Sequence, residues 1–419
     1  MSPGSGLPRV VVVGAGFGGL AVARGLAKAP VDVLVLDREN YHAFLPLLYQ
    51  VATSGLSAQD ITYPVRSILS RIPNARFRMV EIAGGHLGER YVETKVGERI
   101  PYDVLVVAAG STTEFFGNAS VERHAFCMHH LQEALELRNH VLAALERADS
   151  STGPERQALL GFVVVGGGPT GVELAGMLAE MRRHVVPRDF PDLADGMRVI
   201  LLEGRDRLLA GLPPSLSQRA LAQIRELGVE VRLNTFVDQV SPEGVQLQGA
   251  GWIQARTVVW ATGVRGAPLG EKLGLTTDRS GRIVVEPTLE VERHPEVYVI
   301  GDLARVHGLE ALPQVAPVAI QQGQRVAENL ERRIRGEPPL PFTYRDRGTM
   351  ATIGRNRAVA HVFGREIAGR LAWWVWLIVH LIFLVGFRNR SVVFLNWTYH
   401  YLTYDLGLRA IVGPRRREE

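Results

Sequence analysis

The sequence predicts an α/β protein with two Rossmann-like dinucleotide-binding domains and a C-terminal helical region. Three observations carry this. Two G-x-G-x-x-G runs each follow directly on an unbroken apolar strand. The interval from the first fingerprint glycine to a second glycine-closed strand is 96 residues in one copy (Gly14 to Gly110) and 97 in the other (Gly166 to Gly263). An apolar, tryptophan-rich stretch lies near the C-terminus.

In the first copy, Val10 to Val13 read as a strand buried on both faces. Gly14, Gly16 and Gly19 follow, and then a helix over Leu20 to Lys28. The first glycine permits the tight turn, the second admits a diphosphate to the backbone, and the third lets helix and strand pack closely. Phe17 and Gly18 lie inside the turn. The diphosphate would sit at the helix N-terminus, where free N–H groups and the dipole favour negative charge. The next strand, Val31 to Leu36, ends in Asp37, which is placed for a ribose hydroxyl, with Arg38 beside it. Tyr41 to Gln50 is aromatic and contains Pro46. It reads equally as a loop closing over the core and as a wall for a flat ring. Tyr102 to Gly110 closes the copy with another buried strand.

The second copy runs Gly161 to Val165, then Gly166, Gly168, Pro169, Thr170 and Gly171. Its acid, Glu203, arrives later because residues Met181 to Gly196 read as an insertion after the helix. An acid at the strand tip suits a free 2′-hydroxyl and repels a 2′-phosphate, which favours NADH over NADPH although Arg205 and Arg207 are near. Thr262 and Gly263 close this copy. The matched lengths point to an internal duplication. Beyond it, the strand Val297 to Ile300 ends in Gly301 and Asp302, and a helix starts near Pro317.

Leu371 to Phe387 is apolar except at His380 and Gly386, and carries Trp373, Trp374 and Trp376. A 17-residue helix is about 25 Å long, against roughly 30 Å of hydrocarbon core. The main expectation is a helix lying in the headgroup region, anchored by Trp and flanking Arg, with Val392 to Leu408 beside it. A buried core helix and a membrane span are the competing readings. Arg415 to Arg417 read equally as a lipid contact and as a solvated end.

Net charge is +4, and all basic residues but Lys28, Lys95 and Lys272 are Arg. No basic run alternates with aromatics, so no nucleic-acid partner is expected, and no metal-ligand spacing is present. Cys127 is the only cysteine, which excludes a disulfide relay within the chain and fits a reducing compartment. No signal peptide is read at the N-terminus.

These residues resemble the two-dinucleotide-binding flavoproteins, a glutathione-reductase-like fold, and within them the type II NADH dehydrogenases, which are non-proton-pumping NADH:quinone oxidoreductases. The narrower resemblance rests on Phe44 to Ala52, Gly171 to Gly176, Ala316 to Gly323 and the apolar C-terminus. It implies noncovalent FAD on residues 1–117 and 286–360, NADH on an inserted domain at 118–285, and a membrane-associating region at 361–419. FAD would be held by Gly14, Gly16, Phe17, Gly18, Gly19, Asp37, Arg38, Pro46, Gly110, Gly301, Asp302 and Gln322. NADH would be held by Gly166, Gly168, Pro169, Thr170, Gly171, Glu173, Glu203, Thr262 and Gly263. Gln321 and Gln322 would line the flavin edge where a quinone arrives. The resemblance further implies a peripheral protein on the cytoplasmic face of the cell membrane. One departure is that no lysine follows Lys272, where related enzymes carry one near the flavin; Arg370 is the nearest cation in kind.

Glu173, in the first turn of the second fingerprint helix, reads either as a carboxylate complementing the helix dipole or as a group between NADH and flavin. Two other functions share the fold. A soluble ferredoxin or rubredoxin reductase would need no apolar C-terminus. An NADH-sensing flavoprotein would hold its reduced state in the presence of quinone. The C-terminal segments would serve a homodimer as well as a membrane.

Overall fold

The computed structural model describes residues 6–249, 251–310, 312–403 and 407–412. The chain forms two compact units. The first comprises Met1–Ala43, Tyr63–Thr112 and Val264–Asp346; the second comprises Phe44–Thr62, Thr113–Gly263 and Arg347–Glu419.

The first unit is built on a six-stranded sheet. Its order is Glu290–Val291, His294–Val299, Val104–Val107, Arg9–Val13, Asp32–Asp37 and Ala75–Met79, parallel except for the first strand. Val10 to Val13 are buried in its centre, as a valine run covered on both faces must be. The helix Phe17–Gly25 follows. It starts earlier than the glycine spacing suggested, because Gly16 is already its N-cap, and it stops before Pro30. It packs on the helix Ala316–Ile334 through small residues. A β-carbon on Gly25 would fall 2.4 Å from that of Ala327, and one on Gly323 2.5 Å from the Gly18 carbonyl oxygen.

The second unit repeats this plan. Its five-stranded parallel sheet runs Phe126–Cys127, Thr257–Trp260, Gly161–Val165, Arg198–Leu202 and Glu230–Arg232. In both sheets the fingerprint strand lies between the glycine-closed strand and the acid-ended strand. The fingerprint helix Pro169–His184 absorbs the start of the expected insertion; the rest forms Val186–Asp189 and a 3-10 turn at Pro191–Leu193.

A three-stranded antiparallel sheet, Thr349–Gly354, Arg357–Val362 and Arg365–Ala368, belongs to the same unit. It meets the fingerprint helix at Gly176, where a β-carbon would lie 1.8 Å from the Ile353 carbonyl oxygen. The apolar C-terminal run is not one helix. It divides into Arg370–Phe383 and Phe387–Thr403, because Leu384 is extended and Gly386 takes φ +91°. Among the described residues no helix is long and apolar enough to cross a membrane. The second of these helices is tied to residues 44–62 by side chains. Asn389 Nδ2 donates to the Thr62 carbonyl at 2.7 Å, and Trp397 Nε1 donates to Gln50 Oε1 at 2.8 Å. Arg415 to Arg417 lie outside the described residues.

Candidate active site

Each unit carries a glycine cradle with the same construction. Gly14 and Gly166 have φ of +109° and +113°, open only to glycine. A β-carbon on Gly19 or Gly171 would fall 1.9 Å from the carbonyl oxygen of Gly14 or Gly166. These positions are therefore required by the fold itself. On Gly16 or Gly168 a β-carbon would meet no protein atom within 4 Å. The middle glycine of each cradle faces open space before a helix N-terminus, which is the room a diphosphate needs. The residues present therefore fit two dinucleotides, one in each unit.

The acids reach back into these turns. Asp37 Oδ2 accepts the Ala15 N–H at 2.6 Å and Oδ1 that of Glu39 at 2.9 Å. Burial nevertheless pushes the Asp37 carboxyl above the usual carboxylate range, against those two bonds. Glu203 repeats the arrangement, accepting from the backbone of Gly167 at 2.5 Å and of Arg205 at 2.7 Å. Each carboxylate keeps lone pairs for a ribose hydroxyl. His42, which sequence reasoning passed over, bonds the Ala15 carbonyl through Nδ1 at 3.1 Å and takes Phe17 edge-on at 4.8 Å. Burial lowers its pKa to about 4, so the ring is neutral.

Other predicted residues fall around the strand ends. In the first unit, Asp302 Oδ2 accepts the Ser111 hydroxyl at 2.7 Å, near Gly110. Gln322 is buried and accepts the Gly301 N–H at 2.6 Å. Gln321 bonds the backbone of Arg345 in both directions at 3.0 Å. Arg38 is exposed. In the second unit, Pro169 and Thr170 are exposed at the helix start, and Gly263, at φ +76°, lies against the Phe116 ring. Pro46 is half-buried in the 3-10 turn Leu45–Leu47.

Glu173 is 8% exposed and lines a cavity in the second unit. The walls are aromatic: Tyr49, Trp373, Trp376, Trp397 and Tyr401. Burial raises the Glu173 pKa to about 8; the Thr352 N–H, donating at 3.3 Å, only partly opposes this. The Trp376 indole N–H also favours the charged form, yet it stops short of hydrogen-bond geometry and has no other partner. Tyr49 is lifted well above the usual phenol range by burial and by the Glu173 charge, and its hydroxyl accepts Gln50 Nε2 at 2.9 Å. A chain of polar contacts thus runs from Trp397 through Gln50 to Tyr49, beside Glu173.

Trp376 corrects one expectation. It was expected among the membrane anchors, but it is 1% exposed, stacked on His380 at 4.0 Å. Trp374 is half-exposed. The signal was in the spacing: Leu371, Trp374, Ile378 and Ile382 form one helical stripe and are exposed, while Trp376 faces inward. Thr352, Arg355 and Trp397 were missed outright. They are ordinary residues until the fold brings them to Glu173.

A strand, a glycine cradle and an acid at the next strand's tip, built twice, define a pyridine-nucleotide flavoprotein class. The family model for pyridine nucleotide-disulphide oxidoreductases matches residues 8–323, and that for the NDH2 C-terminal domain matches residues 347–403. The type II NADH:quinone oxidoreductase Ndh of Mycobacterium tuberculosis is 39% identical over 97% of this chain and 91% of its own. The Staphylococcus aureus enzyme of the same name is 30% identical over 87% and 92%. The structure of NDH2 from Plasmodium falciparum in complex with NADH superposes with a TM-score of 0.89 at 19% identity, covering 97% of this chain and all of the other. The chain belongs to the type II NADH:quinone oxidoreductases.

Proposed function

We propose that this chain oxidises NADH and reduces a lipid-soluble quinone at the surface of a membrane, without pumping protons. FAD, held noncovalently, supplies the two-electron carrier between the two substrates. The first unit carries it: Gly14, Gly16, Phe17, Gly18 and Gly19 take the diphosphate, and Asp37, with Arg38 outside it, takes the ribose. Asp302, with Gly110 and Gly301, meets the ribityl chain. Gln322 acts through the Gly301 peptide that it holds, and Gln321 lies beside it.

The second unit binds NADH. Gly166, Gly168, Pro169, Thr170 and Gly171 take the diphosphate, Glu203 the adenosine ribose, and Thr262 and Gly263 the far end. A carboxylate already at the strand tip repels a 2′-phosphate, which supports NADH over NADPH.

The observation that carries the quinone reading is Glu173, a carboxyl protonated at neutral pH in an aromatic cavity. Flat walls suit a quinone ring, and Glu173 holds a proton on its carboxyl for the oxygen being reduced. Gln50 and Tyr49 orient the polar side of that cavity. The stripe Leu371, Trp374, Ile378 and Ile382, with Leu395, Tyr399 and Leu402 on the following helix, supports peripheral attachment to the membrane. We place that attachment on the cytoplasmic face, where NADH is supplied. A homodimer through the same stripe is the outcome that light scattering without lipid would reveal.

Stopped-flow mixing with NADH tests the function. Flavin absorbance bleaches, then returns on adding quinone. A reduced flavin that persists in quinone excess would overturn the reading.

A further inference from the structure

A second cavity in the second unit is polar and bounded by four arginines: Arg183, Arg355, Arg357 and Arg370. It lies where the helix Arg370–Phe383 begins, next to the first exposed apolar residues of the stripe, Leu371 and Trp374. The acids in its wall are already engaged. Glu226 faces Arg357 at 3.6 Å, and Glu180 meets His184 at 3.2 Å and the Arg355 backbone N–H at 3.1 Å. Arg183 and Arg370 are exposed and make no ion pair among the described residues. Gln223 lines the same cavity with a buried side-chain oxygen that accepts no hydrogen bond.

We infer that this cavity receives the headgroup of an anionic phospholipid such as phosphatidylglycerol. The phosphodiester pairs with Arg183 and Arg370, which present N–H donors and uncompensated charge. The acyl chains leave along Leu371 and Trp374, so charge and apolar surface follow one another in the order a lipid molecule presents them. A free phosphate would use the arginines alone, without the apolar continuation. The inference rests on the membrane-surface reading and adds to it a chemical preference among lipids.

The test is co-sedimentation of the full-length flavin-loaded protein with phosphatidylcholine vesicles and with vesicles containing about 30 mol % phosphatidylglycerol. The wild type should bind the anionic vesicles at least about 10-fold more tightly, and each arginine removed should cost about 5-fold. Arg183→Gln with Arg370→Gln should therefore abolish most of the preference, with binding to neutral vesicles and flavin content unchanged. An equal affinity of the wild type for both vesicles, or a preference surviving in the double variant, overturns the inference and leaves membrane attachment standing. No sedimentation with either vesicle overturns the membrane reading itself. Inorganic phosphate is added against chloride at matched ionic strength. If phosphate raises the wild-type melting temperature and leaves the double variant unmoved while the wild type shows no preference for the anionic vesicles, the site is one for free phosphate and the lipid assignment fails.

Discussion

The backbone N–H of Thr352 donates to Glu173 Oε1 at 3.3 Å, joining residues 179 positions apart in the chain. The strand Thr349–Gly354 thereby seals a carboxyl of the helix Pro169–His184 inside the aromatic cavity. Glu173 is a buried acid, and because the helix starts at Pro169 it lies beyond the first turn in which the sequence places it.

Glu173→Gln keeps the shape and the Thr352 bond but has no proton to give. Steady-state NADH:quinone turnover should fall about 100-fold with flavin reduction by NADH less affected. The variant also changes stability with pH. Folding lifts this carboxyl from the ordinary 4.5 to about 8, so the folded protein retains a proton that the unfolded chain has lost between those values. The stability it contributes is complete below pH about 4.5 and is lost as pH rises toward 8, by at most about 1.4 kcal/mol per pH unit. Melting temperatures at pH 5 and pH 8 should therefore lie closer together in Glu173→Gln than in the wild type.

The open glycines separate binding from folding. Gly168→Ala places a methyl group in space that no protein atom occupies, so the protein should fold and keep its flavin. The KM for NADH should rise at least about 10-fold, because the methyl group stands where the diphosphate approaches the backbone. Gly171→Ala, with its β-carbon 1.9 Å from the Gly166 carbonyl oxygen, should fail earlier, as low soluble yield. Equal yields of the two variants would contradict this account.

The proposed choice of NADH over NADPH is tested at Glu203. Glu203→Gln removes the negative charge while leaving an amide oxygen for the Gly167 N–H. The ratio of kcat/KM for NADH over NADPH should drop about 10-fold. Arg205 and Arg207 then stand nearer to an uncontested 2′-phosphate.

The exposed stripe predicts where detergent dependence comes from. Replacing Trp374 and Ile378 together by Ser should weaken binding to neutral vesicles at least about 10-fold. NADH-dependent reduction of a water-soluble quinone should stay near wild type, since neither residue lines the aromatic cavity.

Both nucleotide cradles were legible in the sequence because everything they need is local: a strand, three glycines and an acid at its strand tip. The helix start at Phe17 was misjudged by one turn because the spacing locates glycines and not the cap. The cavity around Glu173 was legible only in part. Its aromatic walls come from three separate stretches, at Tyr49, at Trp373 and Trp376, and at Trp397 and Tyr401, and no short-range pattern joins these three. Reading Trp376 as an anchor treated a tryptophan cluster as one surface, whereas helical geometry sends Trp374 and Trp376 to different faces. The break before Phe387 had a visible cause, Gly386 inside an apolar run, which outweighed the pull of continuous hydrophobicity.

At Gly176 the helix Pro169–His184 touches Ile353 with no side chain between them. A rod about 24 Å long is thus pinned near its midpoint. One tip carries the Gly168 cradle and the other reaches the arginines. An inhibitor wedged beside Met177 would press on that pivot, and its kinetics against NADH would be mixed instead of indifferent. Medicinal chemistry that fills the aromatic chamber would then be felt at the dinucleotide end of the lever.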